Sequence, residues 1–337
     1  MNIAEIAKLA GVSNAAVSRY FNNGYISDEK RRVIQKVVEE TGYRPSVQAQ
    51  MLRTKKTRMI GVIVPRIASA SIGKEVEGVL SVLNKSEYQL LLAVTQNNPQ
   101  KELEYLSAFH EKQVDGVILV ATVLTAAHKR MLKTMVVPVV IVGQRLPGYY
   151  CVFHDDYNAS YDITKRVLEK GRKRLGYIGA IQQDQAVGAE RYRGFCEAVQ
   201  GMGRPELKDN LAVADFSLSS GYEKAGELLE KYGDLDGLVC ATDIIAAGAM
   251  QYLQEHGIPV PEQILVAGQG DSDIAKVTSP PLLTVRYPYE KSGEIAIQMM
   301  LEILEKGETA LKEVKLGYHI VDGKEGDKDA ISDGQKG

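Results

Sequence analysis

Ile3, Ile6, Ala7 and Ala10 recur at helical spacing, and Gly11 follows where the chain needs a residue tolerant of positive φ. The spacing predicts a first helix that ends there. Ser13 is placed to cap a second helix over about 14–22, with Ala16, Val17 and Tyr20 or Phe21 facing inward. After the turn-rich "NNGY", Ser27 and Asp28 open a third helix that carries Val33, Ile34, Val37 and Val38 on one stripe and ends at Gly42. Three short helices then share one small core, and the first two have helix-turn-helix spacing. Ser13, Asn14, Ala15, Ser18, Arg19 and Asn22 are left on the outer face of the second helix. Small residues let a helix lie close in a major groove, while Asn, Ser and Arg reach base edges or phosphates. A polar helix merely solvated in a three-helix bundle has the same pattern.

In "GYRPSVQAQMLRTKKT", Pro45 stops the third helix, and the segment from Ser46 to Arg53 is helical in pattern but only about two turns long. So short a helix is expected to order only against a partner, with Leu52 as an apolar wedge beside Gln48, Ala49 and Arg53. A flexible linker is the plain alternative.

From "MIGVIVP" onward the period changes. The apolar runs "MIGVIVP", "QLLLAVTQ", "VDGVILVAT" and "VPVVIVGQ" alternate with helix-patterned stretches, which predicts a parallel sheet with helices on both faces. A second series, "LGYIGAI", "NLAVADF", "DGLVCATD" and "ILVAGQGD", repeats the arrangement. Two doubly wound lobes with a cleft between them follow, joined near Asp156, Tyr287 and Gly317. The expected division is a head with hinge over 1–57, a body over 58–323 and a disordered polar tail over 324–337. In the body, one lobe takes about 58–156 and 287–316, and the other 157–286 and 317–323.

Composition changes this picture in one respect. The net charge of −2 is the sum of +6 over residues 1–58, with 11 Lys and Arg against 5 Asp and Glu, and −8 over the rest. A basic head on an acidic body points to a polyanion for the head alone. Cys151, Cys196 and Cys240 have neither zinc spacing nor disulfide density, and no apolar run approaches a membrane span. A reduced cytoplasm is the expected location, nucleoid-associated when DNA is bound, with no membrane partner.

Ligands of open parallel sheets sit at the carboxyl ends of strands. The candidates there are Pro65, Arg66, Gln96, Asn97, Thr122, Gln144, Arg145, His154 to Asp156, Asp184, Asp215, Thr242, Asp243, Gly270 and Asp271. Many can make paired hydrogen bonds to hydroxyls, which suits a sugar; each is also an ordinary strand end or turn, and Asp243 and Asp271 also stand where they can cap the next helix. Arg66 leaves the first strand into the turn Ser69 to Ser71, where a helix start and an arginine together make an anion site. An arginine pairing with a nearby carboxylate is the competing reading. No G-x-G-x-x-G follows the first strand, and there is no Walker loop or G-x-S-x-G elbow. His110, His128, His154, His256 and His319 lack metal-ligand spacing, so no metal, cofactor or enzyme activity is expected. His154 with Asp155 and Asp156 is the nearest thing to an acid/base cluster.

"IAEIAKLAGVSNAAVSRYFN" and "GYRPSVQAQMLR" resemble the DNA-binding domain of the lactose/galactose-repressor (LacI/GalR) family, and the resemblance runs on to about residue 321. It implies an α/β regulator: a three-helix helix-turn-helix head and hinge helix, then a two-lobed, doubly wound, periplasmic-binding-protein-like effector domain. Asn14 and Ala15 become the base readers, Ser13, Ser18, Arg19 and Asn22 lie near phosphates or bases, and Leu52 is the minor-groove wedge. Ile3, Tyr25, Ser46 and Ala49 complete the DNA-binding set. Ala15 is a departure, since a methyl group offers only apolar contact to a base. Arg191 matches the family's effector-binding arginine, whereas Thr242 and Gly270 depart from the asparagine and aspartate found there. The resemblance also implies a homodimer on a pseudo-palindromic operator, and without a leucine heptad in the tail no tetramer is expected.

"VIVPRIASASIG", "VDGVILV", "HDDYNAS", "VGAERY" and "CATDIIAAGAMQYLQE" look most like the trehalose-repressor and sucrose-repressor branch. That implies a phosphorylated disaccharide as effector, such as trehalose 6-phosphate or sucrose 6-phosphate. Arg66, Ser69 and Ser71 would hold the phosphate, with Arg191, Gln144, Thr242, Asp243 and Asp271 near the sugar. An unphosphorylated sugar and, more remotely, a solute-binding protein of sugar transport are the alternatives.

Overall fold

The computed structural model describes residues 1–22, 24–43, 56–307 and 310–322, and the chain divides into two units, Met1–Thr57 and Arg58–Gly337. Three helices build the first unit: α1 (Ile3–Leu9), α2 (Asn14–Phe21) and α3 (Asp28–Thr41). Asn2 and Glu5 form a reciprocal capping box at the start of α1, and Gly11 (φ 65°) makes the turn. Ser13 Oγ accepts the Ala16 N–H at 3.2 Å and so fixes the start of α2. Helix α3 stops at Gly42, whose φ of 64° a side chain would oppose. Ile6, Ala7, Ala10, Ala16, Val17, Ile26, Ile34 and Val37 form the core. One detail differs from the sequence reading. Val33 is 40% exposed, because the buried stripe of α3 runs through positions 34, 37 and 38 and leaves 33 at its edge. Ser27 makes no side-chain cap; Asp28 and Glu29 instead place negative charge in the first turn. The hinge segment, with Ser46, Ala49 and Leu52, and the tail 324–337 lie outside the described residues.

The second unit opens with β1 (Met59–Val64), α4 (Ala70–Leu83), β2 (Gln89–Val94), α5 (Pro99–Ala108), β3 (Gly116–Val120), α6 (Ala126–Thr134), β4 (Val139–Val142) and β5 (Tyr150–His154). It continues through α7 (Asp156–Glu169), β6 (Leu175–Gly179), α8 (Arg191–Gly201), β7 (Leu211–Val213), α9 (Leu218–Lys231), β8 (Gly237–Cys240), α10 (Asp243–Glu255) and β9 (Leu265–Ala267). The last elements are α11 (Asp273–Val277), β10 (Thr284–Arg286), α12 (Tyr289–Lys306), β11 (Glu313–Leu316) and β12 (His319–Val321). One parallel sheet has the order β11-β5-β4-β3-β1-β2 and another the order β7-β6-β8-β9, with β10 and β12 paired antiparallel. The chain leaves the first sheet after His154, returns to it with α12 and β11, and leaves again after Leu316.

Both faces of the first sheet are buried. Ile60, Val62, Val64, Ile118 and Val140 pack with α4 and α12, while the alternate positions Ile63, Val117, Leu119 and Ile141 pack with α5 and α6. That double burial is why its strands read as unbroken apolar runs rather than alternating ones. Helices α4 and α12 meet backbone to backbone. A Cβ on Gly78 would lie 1.9 Å from the Glu290 carbonyl oxygen, and one on Gly293 would lie 1.9 Å from that of Glu75. In both sheets the second strand in sequence lies on one side of the first and the third on the other, at β1 and at β6. Connections therefore diverge at the carboxyl ends of β1 and β6, which opens a crevice there.

Candidate effector cavity and nucleic-acid face

On α2, Ser13, Asn14, Ala15, Arg19 and Asn22 are exposed and Ser18 is half-buried, so one side of the helix presents small and polar groups. Asn22 Nδ2 donates to the Ser18 carbonyl, which holds these two residues together. Tyr25, just beyond α2, is 91% exposed, while Ile3 is partly buried against the core.

In the second unit a cavity of about 550 Å³ opens at the carboxyl ends of β1, β3, β4, β8 and β9. Of the effector candidates, Arg66, Ser69, Ser71, Gln144, Arg191, Thr242 and Asp243 line it, and Asp271 does not. Asp271 sits at φ 44° and turns its carboxylate to Arg286 Nε at 2.5 Å. Neither Asp243 nor Asp271 caps a helix. Thr242 and Ser272 occupy those cap positions, without side-chain capping bonds, and Asp243 is taken up by other partners. Its Oδ2 accepts from the Ser272 N–H and Oγ, both at 2.8 Å, and its Oδ1 accepts from Thr284 Oγ1 at 2.5 Å. Burial pushes this carboxyl's pKa up, against those hydrogen bonds.

Arg191 is 3% exposed and fully engaged. Its Nε and Nη2 both reach Asp156 Oδ1 at 2.7 Å, its Nη1 donates to the Ala241 carbonyl at 2.6 Å, and the guanidinium lies 4.7 Å from the Tyr287 ring centroid. Gln144 and Arg66 also reach from one lobe to the other. Gln144 Nε2 donates to Asp184 Oδ1 at 2.8 Å, and Arg66 Nη1 donates to the Phe216 carbonyl at 2.8 Å with its guanidinium over the Phe216 ring. Burial lowers the Arg66 pKa and Asp215 opposes it, but among the described residues Arg66 makes no ion pair with a carboxylate. It therefore keeps further donors for a ligand. Ser69 and Ser71 hydroxyls lie 3.0 Å apart at the start of α4, and Ser69 makes no side-chain bond to the helix's opening N–H groups. Those N–H groups carry the positive end of a 14-residue helix.

Lys74 and Glu75, one turn into α4, also line the cavity, as do Phe216, Gln269, Ser272 and Tyr289. None of the six was read from the sequence. For the first two a signal existed, since positions 74 and 75 follow Ser71 at helical spacing of three and four. Of the remaining strand-end candidates, Pro65, Asn97, Thr122, Asp184 and Gly270 line the cavity. Arg145 and His154 to Asp156 border an adjoining crevice instead, which shares Gly143 and Gln144 with the cavity.

The buried titratable groups predict a pH dependence of stability. Burial raises the Glu75 pKa from 4.5 to about 8, partly offset by a Ser292 hydrogen bond and reinforced by Asp156. Burial lowers that of His154 from 6.5 to about 4. Between pH 4.5 and 8 the folded chain holds a proton on Glu75 that the unfolded chain has released, so this group's contribution falls as pH rises. Between pH 6.5 and 4 the unfolded chain protonates His154 and the folded chain does not, so that contribution falls as pH drops. The two slopes oppose each other in the acidic overlap. Glu75→Gln is expected to be more stable than wild type by on the order of 3 kcal/mol at pH 8, with the gap closing toward pH 4.5. Urea unfolding across this range checks it; a constant gap contradicts it.

Comparison with known proteins places these features. The family model for bacterial regulatory proteins of the lacI family matches residues 2–46, and a periplasmic binding protein-like domain matches residues 164–324. The sucrose operon repressor of Staphylococcus xylosus is 33% identical over 304 residues, covering 90% of this chain and 94% of that protein. The chain belongs to the lacI family. Among solved structures, the complex of the transcriptional regulator CelR with cellobiose matches with a TM-score of 0.74 at 26% identity, over 96% of this chain and 98% of that one. The lac repressor dimer bound to operator and the anti-inducer ONPF matches with a TM-score of 0.86 over 96% and 98% of the two chains; at 18% identity this shows the shared fold. As a lacI-family member the chain is a DNA-binding transcriptional regulator and not an enzyme. Among the described residues no helix is long and apolar enough to cross a membrane.

Proposed function

We propose that this regulator represses a carbohydrate-utilisation operon as a homodimer on a pseudo-palindromic operator, and that a phosphorylated disaccharide such as sucrose 6-phosphate or trehalose 6-phosphate fills the cavity and controls operator binding. The observation that carries the effector reading is the charge of the lining. Three cations line the cavity among the described residues, and Arg191 alone is neutralised by a carboxylate. Arg66 and Lys74 have no such partner, and both stand beside the start of α4, where N–H groups and the Ser69 and Ser71 hydroxyls add donors. Donors of this kind match a phosphate. The volume of about 550 Å³ suits a disaccharide-sized ligand. The relative's role as a sucrose operon repressor and the cellobiose bound to CelR favour a disaccharide here.

For the head, the exposed residues Ser13, Asn14, Ala15, Arg19, Asn22 and Tyr25 and the half-buried Ser18 supply the DNA contacts, with Ile3 beside them and Ser46, Ala49 and Leu52 in the hinge. Effector binding alters the relation of the two lobes, the hinges of the two subunits lose their pairing, and operator affinity changes. Whichever direction that takes, linkage requires operator to change effector affinity by the same factor. The test is a gel shift of the full chain on DNA selected from random sequence, with and without each sugar phosphate. The expected result is a two-fold symmetric site, affinity that falls steeply with salt as counterions are displaced, and a shift in affinity on adding one sugar phosphate. Salt-insensitive binding, or binding as a monomer, contradicts the reading.

A further inference from the structure

Glu75 stands apart from the other buried carboxyls that line the cavity. It is 5% exposed and lines the cavity, yet its Oε2 has no hydrogen-bond partner among the described residues. Asp184 and Asp243, by contrast, are both held by donors of the protein itself. The groups that face Glu75 leave little support for a charge. On α12, Ser292 Oγ is 3.5 Å from Oε1, and Tyr289 is a neutral phenol with its own pKa raised by burial. On α7, Asp156 carries the same sign as a Glu75 carboxylate, and its charge is taken by Arg191 of α8. Lys74 is the adjacent residue of α4, and neighbours one apart on a helix point in different directions. The α12 backbone closes over this turn, because Gly293 brings it against the Glu75 carbonyl. No carboxylate is expected to be stable in such a setting without a ligand or a proton.

Position adds the chemistry of the occupant. Glu75 follows Ser71 by four residues, so it lies on the same side of α4, one turn of about 5.4 Å beyond the helix start. A phosphate at the helix start places the attached sugar ring beside Glu75. A second unsatisfied group, Thr242 Oγ1, also lines the cavity. We propose that Glu75 is an effector-contacting residue that keeps its proton and donates it, as a neutral carboxylic acid, in a hydrogen bond to a hydroxyl oxygen of the sugar, so that effector binding is linked to protonation of this one carboxyl. The proposal rests on the sugar-phosphate reading of the cavity. A neutral acid tolerates a phosphate one turn away, where a carboxylate repels it, and a bound dianion holds the proton more firmly still.

Two measurements on the full chain test this. In the first, glutamate side-chain carboxyl carbons are labelled with carbon-13 and followed by NMR across pH 4 to 9, with the Glu75 resonance identified by its loss in Glu75→Gln. A midpoint near 8, moving upward with sucrose 6-phosphate or trehalose 6-phosphate, is the expected result. A midpoint below about 6, within ordinary carboxylate scatter, overturns the proposal whichever sugars bind. In the second, affinity for the same two probes is measured by calorimetry from pH 7 to 9, where the phosphate is already a dianion. Wild-type affinity is expected to fall toward about tenfold per pH unit above the Glu75 midpoint. Glu75→Gln keeps the pH 7 affinity within about threefold and loses the pH dependence, and Glu75→Leu binds about tenfold more weakly at pH 7. Identical pH profiles in all three chains, or a leucine variant as tight as wild type, overturn the proposal. A chain that binds none of the sugars, free or phosphorylated, yet titrates near 8 refutes the effector reading and leaves the neutral acid standing.

Discussion

Replacing Asp156 by alanine is expected to destabilise the Arg58–Gly337 unit by about 3 to 5 kcal/mol. The carboxylate accepts two guanidinium donors of Arg191 at 2.7 Å, and the two side chains are 4% and 5% exposed. Its removal leaves a cation deep in the protein with chiefly the Ala241 carbonyl and the face of Tyr287 for company. Neither neutralises the charge, and water has little access. Asp156→Asn keeps an acceptor but not the charge, so an intermediate loss is expected. Arg191→Leu combined with Asp156→Ala removes both charges and is expected to recover much of the stability, since a buried pair contributes little net once its desolvation is counted. Denaturant unfolding of the three variants checks this ordering. A loss below about 1 kcal/mol in Asp156→Ala, the size of a surface pair, contradicts it.

The second large effect is steric. In Gly293→Ala the new Cβ falls 1.9 Å from the Glu75 carbonyl oxygen and 3.0 Å from the Val79 nitrogen, both backbone atoms that cannot rotate away. Helices α4 and α12 must move apart, at a cost of about 3 kcal/mol, toward the upper end for overpacked cores. Glu75 and the start of α4 move with them, so weaker effector binding is expected alongside lower stability. Gly73 provides the control within the same helix. A Cβ there meets nothing within 4 Å, so Gly73→Ala is expected to stabilise the chain by about 0.5 to 1 kcal/mol through the unfolded state. Thermal unfolding of the two variants decides the matter; equal effects of the same sign contradict the packing argument.

Much of the fold was legible in the sequence because the elements that define it obey simple periods. The eight apolar runs became β1 to β4 and β6 to β9, most plainly in the inner strands, because strands buried on both faces have little choice but aliphatic residues. The head was legible through Gly11, Ser13 and Gly42, each a residue whose backbone or side chain does something particular at a helix end. Strands β10, β11 and β12 were not read as strands, and β5 entered only through its carboxyl end at His154. The first three lie at sheet edges or in a two-stranded pair, and Glu313–Leu316 alternates polar and apolar positions over only four residues, too few to separate from a loop.

The cavity was legible as a place more than as a set of roles. Strand ends located Arg66, Gln144, Thr242 and Asp243 on its wall. What sequence could not convey is which polar groups the protein already uses. Asp243 is held by Ser272 and Thr284, 29 and 41 residues away, and Asp271 is turned aside by Arg286. Glu75 owes its isolation to α12, more than 200 residues later in the chain, and no local pattern carries that information.

Calorimetric titration of the full chain at pH 7 with sucrose, sucrose 6-phosphate, trehalose and trehalose 6-phosphate, repeated on Arg66→Ala, tests the phosphate-reading cavity most directly. One phosphorylated disaccharide is expected to bind at least about 100-fold more tightly than its free form, because two or more charge-assisted hydrogen bonds distinguish them. Arg66→Ala is expected to lose most of that preference while binding the free sugar as before. Equal affinity for a free sugar and its phosphate, or an Arg66→Ala chain that discriminates as well as wild type, contradicts a phosphate site and returns the effector to an unphosphorylated sugar.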